Sequence, residues 1–335
     1  MATEIIRLDS SIVAKDYNLS SFGNFLSQRS NVCDIDLSNA TLIEVLQAMI
    51  QLKSLMSPNY GKKYSSLFYH LNKLQKRFNC TLIPRQINDV FWYNFVPYLI
   101  DEGLALSTIK TMCAQLRSAL HWGALHHAQI SSTFDCIKLP AYSHQQIALT
   151  ADEVSHIYHY DLRLINRRSQ YISHIDRVRD MFVLSCNLGQ RYSDMIRIDP
   201  SCFERNIFRI VQQKTGTQAR VDIDRMSIDP DTVYCILNKY GYNSPLRTDI
   251  SSYDRYLKQL LQYIGFNQIV KRETKVNGYI KTTNKYKWQL IASHTGRRTF
   301  ATINLLRGHR MYDIRRATGH LSESAFEKYI CYYDH

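Results

Sequence analysis

Six side chains in the second half of this chain could together cut a phosphodiester without a metal: Arg191, Lys214, His294, Arg297, His320 and Tyr329. The planar fork of arginine fits two phosphate oxygens at once and keeps its charge. Two such groups can hold both non-bridging oxygens and stabilise the charge that builds at phosphorus. Tyrosine offers an oxygen nucleophile whose phosphodiester product preserves the bond energy for rejoining. Nearby cations or an imidazole base can overcome its pKa of ~10, and a flexible lysine can protonate the leaving oxygen. Each residue alone has an ordinary explanation. Arg191 suits a surface ion pair, Lys214 a solvated turn and His320 a helix terminus, while Tyr329 is one of 23 tyrosines. The set, rather than any member, points to chemistry.

The stretch 293-SHTGRRTFATINLL-306 sharpens the point. From Phe300 to Leu306 it reads as a buried helix, and His294 and Arg297, three apart, share one face. A helix N-terminus is already electropositive, so His294, Arg297 and Arg298 at its start call for an anion. The bulk charge agrees. Forty-two Lys and Arg against 29 Asp and Glu leave a net charge of +13 and a pI near 9.3, which suits a polyanionic partner. No apolar run approaches the ~18 residues of a membrane span, no stretch joins basic residues to a Trp/Phe-rich face, and MATEIIRLDSS is not a signal peptide. Nucleic acid is therefore the expected partner. The eight cysteines are scattered without a C-x-x-C pair, and His126-His127 has no flanking acid or cysteine. Reduced thiols, with neither metal nor cofactor, are the expectation.

The elements that must position these groups form a mainly α fold with a small β-sheet. Residues 1–40 show weak periodicity. From Thr41 the pattern turns helical, with Leu42, Leu46 and Met49 on one face, then Leu67, Leu71, Leu74 and Phe78 on another. The basic residues Lys63, Lys73, Lys76 and Arg77 decorate the second stretch. A third helix, with Ser107 as N-cap, carries Lys110 and Arg117. Pro140 and a polar SHQQ tract mark a break, giving a helical domain over 41–140, a linker over 141–150 and a second domain over 151–335. Thr150 to Glu153 forms a capping box at the start of the second domain. There, Met181, Leu184 and Leu188 line a helix ending at Gly189. IFRIVQQKTGTQARVDID reads as a hairpin whose first arm meets its turn at Lys214. The tract 271–287 reads as a basic loop around an Asn-Gly turn, with Lys271, Arg272, Lys275 and Lys281 facing phosphates.

In order and spacing the six residues resemble the catalytic set of the tyrosine recombinase (phage integrase) family. NLGQRYSDM resembles the family's first arginine box, with Asp194 in the place of its acidic helper. Lys214 falls on the hairpin lysine, His294-Thr-Gly-Arg297 on the H-x-x-R box, Gly319-His320 on the G-H pair and Tyr329 in FEKYI on the nucleophile. SHTGRRTFAT and TGHLSESAFEKYI are similar in wording to integrases of Bacteroidetes mobile elements. TIKTMCAQLRSALHW looks like the last helix of the family's core-binding domain, so the resemblance spans about residues 41–335. It implies a helical, SAM-like core-binding domain and an α+β catalytic domain closing as a C-shaped clamp on duplex DNA. It also implies Arg191 and Arg297 on the scissile phosphate, His294 assisting proton transfer, and a 3′-phosphotyrosyl intermediate. The resemblance further implies a monomer that becomes a homo-tetramer on synapsed sites, in a bacterial cytoplasm beside the nucleoid. Arg298, one residue off the clamp face, would serve structure or a neighbouring phosphate. Two features depart from the pattern: a short tail after Tyr329, and an N-terminal segment too short for a full arm-binding domain. Tyr332 and Tyr333 are rival nucleophiles at the wrong spacing from His320. The alternative readings are a type IB topoisomerase-like nicking-closing enzyme and a non-catalytic DNA-binding protein on the same fold.

Overall fold

The computed structural model describes residues 36–57, 59–136, 146–276, 279–327 and 329–331. The expectations for residues 1–35 and for Tyr332 and Tyr333 lie outside the described residues. The chain divides into two compact units, Met1–Tyr142 and Ser143–His335.

In the first unit four helices enclose one apolar core: α1 (Leu42–Met56), α2 (Ser65–Phe78), α3 (Asp89–Asp101) and α4 (Leu106–Ala124). The Thr41 hydroxyl accepts from Glu44 N while Glu44 reaches back to Thr41 N, which satisfies two orphan donors at the start of α1. Leu42, Leu46 and Met49 are fully buried, as are Leu67 and Leu71 of α2. The expected face of α2 ends early, because Phe78 is 63% exposed beside the left-handed Asn79 that stops the helix. Helix α3 is apolar almost all round and carries Pro97 inside it, which hides its period in the sequence. Helix α4 packs on the other three through Ile109, Met112, Leu116 and Leu120. It opens one residue before the expected cap: Ala105 is its N-cap, and Ser107 lies within the first turn.

The second unit is built around α6 (Ser169–Leu188), preceded by α5 (Ala151–His159). A three-stranded antiparallel sheet follows, β1 (Phe203–Glu204), β2 (Ile207–Val211) and β3 (Gln218–Asp222), with Val211 opposite Gln218 at the open end. The hairpin thus falls where expected, but Ile223 belongs to a helical turn rather than to the strand. Next come α7 (Pro230–Lys239), α8 (Ile250–Ile264), and β4 (Ile269–Val276) paired with β5 (Tyr279–Tyr286). The basic tract expected as a loop is therefore a two-stranded ribbon. Its Val, Ile, Thr and Tyr residues suit extended backbone better than a coil. Helices α9 (Ser293–Leu306), α10 (Met311–Thr318) and α11 (Glu323–Glu327) complete the unit.

Of the expected linker, residues 146–150 are described, and they belong to the second unit. Leu149 is fully buried, its N–H donates to Thr299 Oγ1 at 2.9 Å, and Arg298 Nη1 donates to Ile147 O at 3.1 Å. Residues 146–150 are thus fastened to α9.

Helices α6 and α9 approach closely at two glycines. A Cβ on Gly296 would lie 2.6 Å from Ser185 Oγ, and one on Gly189 would lie 2.4 Å from Phe300 Cδ1. Gly189 also closes α6 with φ +65°, a conformation that only glycine adopts freely. Gly189→Ala should therefore lower the unfolding free energy of this unit by about 2–4 kcal/mol, combining the left-handed penalty with overpacking. Urea denaturation followed by near-ultraviolet circular dichroism measures it.

Candidate active site

Arg297 sits on the first turns of α9, inside the protein rather than on its surface. Its side chain has no exposed area. Nη1 donates to Gly189 O at 3.3 Å, Nη2 lies 3.2 Å from His320 Nε2, and Nε has no hydrogen-bond partner among the described residues. Burial, then the neighbouring Arg191, pushes its pKa down to about 9, so the guanidinium remains charged at neutral pH. Asp194 acts on it only through space, and among the described residues no carboxylate pairs with it, so this buried cation with an unused donor is short of an anion. The N-terminus of α9 is not where that anion comes from. Asp254 on α8 accepts Ser293 N at 2.7 Å, supplying from another helix the acid that the stretch itself lacks.

Arg191 stands at the N-cap of a single helical turn, Tyr192–Met195, and is half-buried. Its Nη1 donates to Gln212 Oε1. Asp194, in the same turn, is fully buried and accepts Gln213 N at 2.8 Å, with Arg197 at 3.5 Å. Asp194 thereby ties the arginine turn to the β2–β3 turn. Lys214 is exposed on that second turn, one residue beyond Gln213.

His320 follows the left-handed Gly319 that caps α10. Its hydrogen bonds fix its tautomer. Arg297 must donate to Nε2, so Nδ1 carries the proton and gives it to Thr318 Oγ1 at 2.8 Å, while that hydroxyl donates to Ile314 O at 2.6 Å. Burial, then Arg297, Arg191 and Arg315, pushes the His320 pKa down to about 3, which keeps the ring neutral. His294 reaches solvent, yet the protein crowds its ring. That desolvation comes first among the causes that lower its pKa, followed by Arg298, Arg297 and Arg191.

Tyr329 is half-buried, with its ring centre 4.5 Å from that of His320 and 5.6 Å from Arg297 Cζ. Tyr329 N donates to Phe326 O at 2.7 Å, and, two residues on, Cys331 N donates to Thr302 Oγ1 on α9 at 3.1 Å, which anchors the segment.

Arg297, His320 and Tyr329 are therefore in mutual contact, Arg191 lies close enough to shift both Arg297 and His320, and Lys214 projects from the turn bonded to Arg191 through Gln212. His294 shares the first turn of α9 with Arg297. Gln190, Gln212, Thr318 and Asp254 complete the arrangement and escaped sequence reasoning. Gln190, Gln212 and Thr318 carried only the signal of lying next to or near Arg191, Lys214 and His320 in sequence, and Asp254 carried none.

The expected DNA-facing cations divide. Lys73 pairs with Glu102, and Arg117 Nη1 lies 2.9 Å from Asp135 Oδ1, so both are engaged within the first unit. Lys63 precedes α2 rather than lying on it, and its ammonium rests 3.7 Å from the centre of the Tyr60 ring. Lys76, Arg77, Lys110 and Lys271 are exposed. For Arg272 and Lys275 on β4 and Lys281 on β5 only the backbone is described. Arg298 is half-buried and turned toward Ile147, which fits the structural reading of that residue. No group of three or more His, Cys, Asp or Glu among the described residues could hold a metal, and no described helix is long and apolar enough to cross a membrane.

No protein-family model matches the chain, and no curated protein matches it by sequence. Solved structures do match by fold. The Tn1549 transposon integrase in complex with transposon right-end DNA is similar with a TM-score of 0.62 and 13% identity, over 88% of this chain and 95% of that one. A lambda integrase dimer bound to a core site is similar with a TM-score of 0.59 and 16% identity, over 86% and 95%. A lambda integrase tetramer bound to a Holliday junction has a TM-score of 0.59 and 14% identity, over 96% and 90%. At these identities the likeness is one of fold alone, mainly helical with small sheets.

The depressed pKa of His320 has a consequence for stability. The unfolded ring takes up a proton as pH falls through about 6.5, whereas the folded ring resists until about 3. Its contribution is full above the unfolded value and is lost as pH falls between the two. The urea midpoint should drop from pH 7 to pH 5, and His320→Asn should show a smaller drop. Equal drops in both proteins would contradict the assigned neutral ring.

Proposed function

We propose that this protein is a site-specific DNA recombinase that breaks and rejoins duplex DNA through a 3′-phosphotyrosyl intermediate on Tyr329. The observation that carries the reading is Arg297, fully buried beneath the Tyr329 ring with an unused donor and only neutral acceptors among the described residues. A phosphodiester fits that deficit. Its negative charge compensates the guanidinium, and its non-bridging oxygens accept from Arg191 and Arg297 in paired geometry.

Cleavage then follows from the groups at hand. Tyr329 Oη bonds to phosphorus as the bond to the 5′ oxygen breaks. The phenolic proton passes to the neutral His294 imidazole, and the Lys214 ammonium protonates the departing 5′ oxygen. His320, its Nε2 occupied by Arg297, orients the guanidinium rather than exchanging protons. The products are a 3′-phosphotyrosyl link and a free 5′-hydroxyl, and reversal of the same steps onto another strand's hydroxyl rejoins DNA. Neither ATP nor metal enters the scheme. The fold shared with integrases bound to DNA, one of them as a tetramer on a Holliday junction, supports duplex DNA as partner and assembly of four copies on paired sites. The exposed Lys76, Arg77, Lys110 and Lys271 are the cations best placed for sequence-independent phosphate contacts.

A pool of nicked duplexes of randomised sequence tests this directly, because a nick near the cut lets the free end escape and traps the adduct. The wild-type chain should give a denaturant-resistant protein–DNA adduct, and Tyr329→Phe should give none. An adduct that persists in Tyr329→Phe, or a wild-type chain that retains specific DNA without cutting it, would overturn the assignment. With the duplex so selected, Arg191→Ala or Arg297→Ala should slow adduct formation by about 10²–10³-fold, the loss typical of one donor to a transition-state oxyanion. Single-turnover kinetics measures it.

A further inference from the structure

Gln212 is almost fully buried where β2 gives way to the β2–β3 turn, and it makes more connections within the site than any of the six expected residues. Its Nε2 donates to Gln190 Oε1 at 2.9 Å and to Thr318 O at 2.8 Å. Its Oε1 accepts from Arg191 Nη1 and from Thr215 Oγ1 at 3.2 Å. Both donors and both lone pairs of the amide are thus used. Gly319 lies against it, since a Cβ there would approach Gln212 Oε1 to 2.4 Å. Three separate stretches of chain meet on this one side chain: the arginine turn, the lysine turn and the segment leading into His320.

We propose that Gln212 is the positioning residue of the active site, holding Arg191, the turn that carries Lys214 and the approach to His320 in a single register. The proposal rests on the recombinase reading. A glutamine does this where other residues could not. An aspartate or glutamate would orient Arg191 equally well, but its charge would satisfy the guanidinium before the phosphate arrived, and it could not donate to Thr318 O or Gln190 Oε1. Lysine could not accept from Arg191. Only an amide is neutral, donates twice and accepts twice at this length. Gln190 extends the brace on the far side, its Nε2 donating to Leu188 O at 2.6 Å and to Ala317 O at 2.9 Å. The catalytic cations are therefore located by dipoles, and their full charge remains available to the ligand.

The consequence concerns two steps at once. Losing the amide frees Arg191 from its orientation, which weakens stabilisation at phosphorus. It also frees Thr215, next to Lys214, which weakens protonation of the leaving oxygen. A sulfur in place of the scissile 5′ bridging oxygen leaves without a proton, so it separates the second effect from the first and from any general loss of structure.

The probe is the duplex that the wild-type chain selects from the randomised pool, made with oxygen or with sulfur at the bridging position. Gln212→Met keeps side-chain length and removes every hydrogen bond. It should bind the duplex within about threefold of the wild-type Kd yet cut the oxygen substrate about 100-fold more slowly, the size expected for misplaced groups, with sulfur recovering about tenfold or more of the loss. Cleavage within about threefold of wild type, an equal loss on oxygen and sulfur, or a loss of DNA binding that matches the loss of cleavage would each overturn the proposal. Should Gln212→Met fail to fold, Gln212→Glu serves. Its carboxylate should pair with Arg191 and slow cleavage at unchanged Kd, and a wild-type rate there would overturn the proposal as well. A wild-type chain that forms no adduct at all refutes the recombinase reading itself, whereas normal wild-type cleavage with unaffected Gln212 variants refutes only the positioning role.

Discussion

The site depends on one costly arrangement: a guanidinium held inside the protein with no ion-pair partner among the described residues. An isolated buried charge is among the least tolerable features of a fold. Here the cost is limited by dipoles: the Gly189 carbonyl, the neutral Nε2 of His320 and the face of Tyr329. These orient Arg297 without neutralising it. The two close glycine contacts between α6 and α9 bring Gly189 O within reach, and the Thr318 hydroxyl sets the tautomer that lets His320 accept. What remains unsatisfied is complementary to a phosphate, and it is in place before any ligand arrives.

The carboxylates near the site serve the backbone instead. Asp194 holds Gln213 N, and Asp254 holds Ser293 N at the start of α9. Acids thus fix the turns that carry the cations, while amides, carbonyls and an imidazole touch the cations themselves. That division explains how five positive or potentially positive groups share one region of a stable fold. Burial first, and then the neighbouring arginines, lowers the pKa of both histidines and leaves them usable as acceptors at neutral pH.

Much of this was legible in the sequence because gripping an anion restricts residue type. Arg191, Lys214, the His294–Arg297 pair, His320 and Tyr329 could be selected as a phosphate-handling set, and the helix before Gly189 and the hairpin around Lys214 followed from their periods. The rest was hidden for definite reasons. Helix α3 is masked by its internal Pro97 and by apolar residues on nearly every face. The β4–β5 ribbon was concealed by its charge, since alternating Lys and Thr read as solvated loop until paired. Gln190, Gln212 and Asp254 are polar residues whose importance arises only from long-range contacts, and no local pattern marks a glutamine that will be buried. Arg298 was legible from helical spacing alone: one residue off the face of Arg297, it turns toward Ile147.

A single measurement decides whether the proposed nucleophile, the phenol packed on His320 and Arg297, is the one used. The trapped protein–DNA adduct, digested with nuclease and protease, leaves a nucleotide remnant on one peptide that mass spectrometry can place. The account predicts the remnant on Tyr329. A remnant on Tyr332, Tyr333 or any other residue would contradict it.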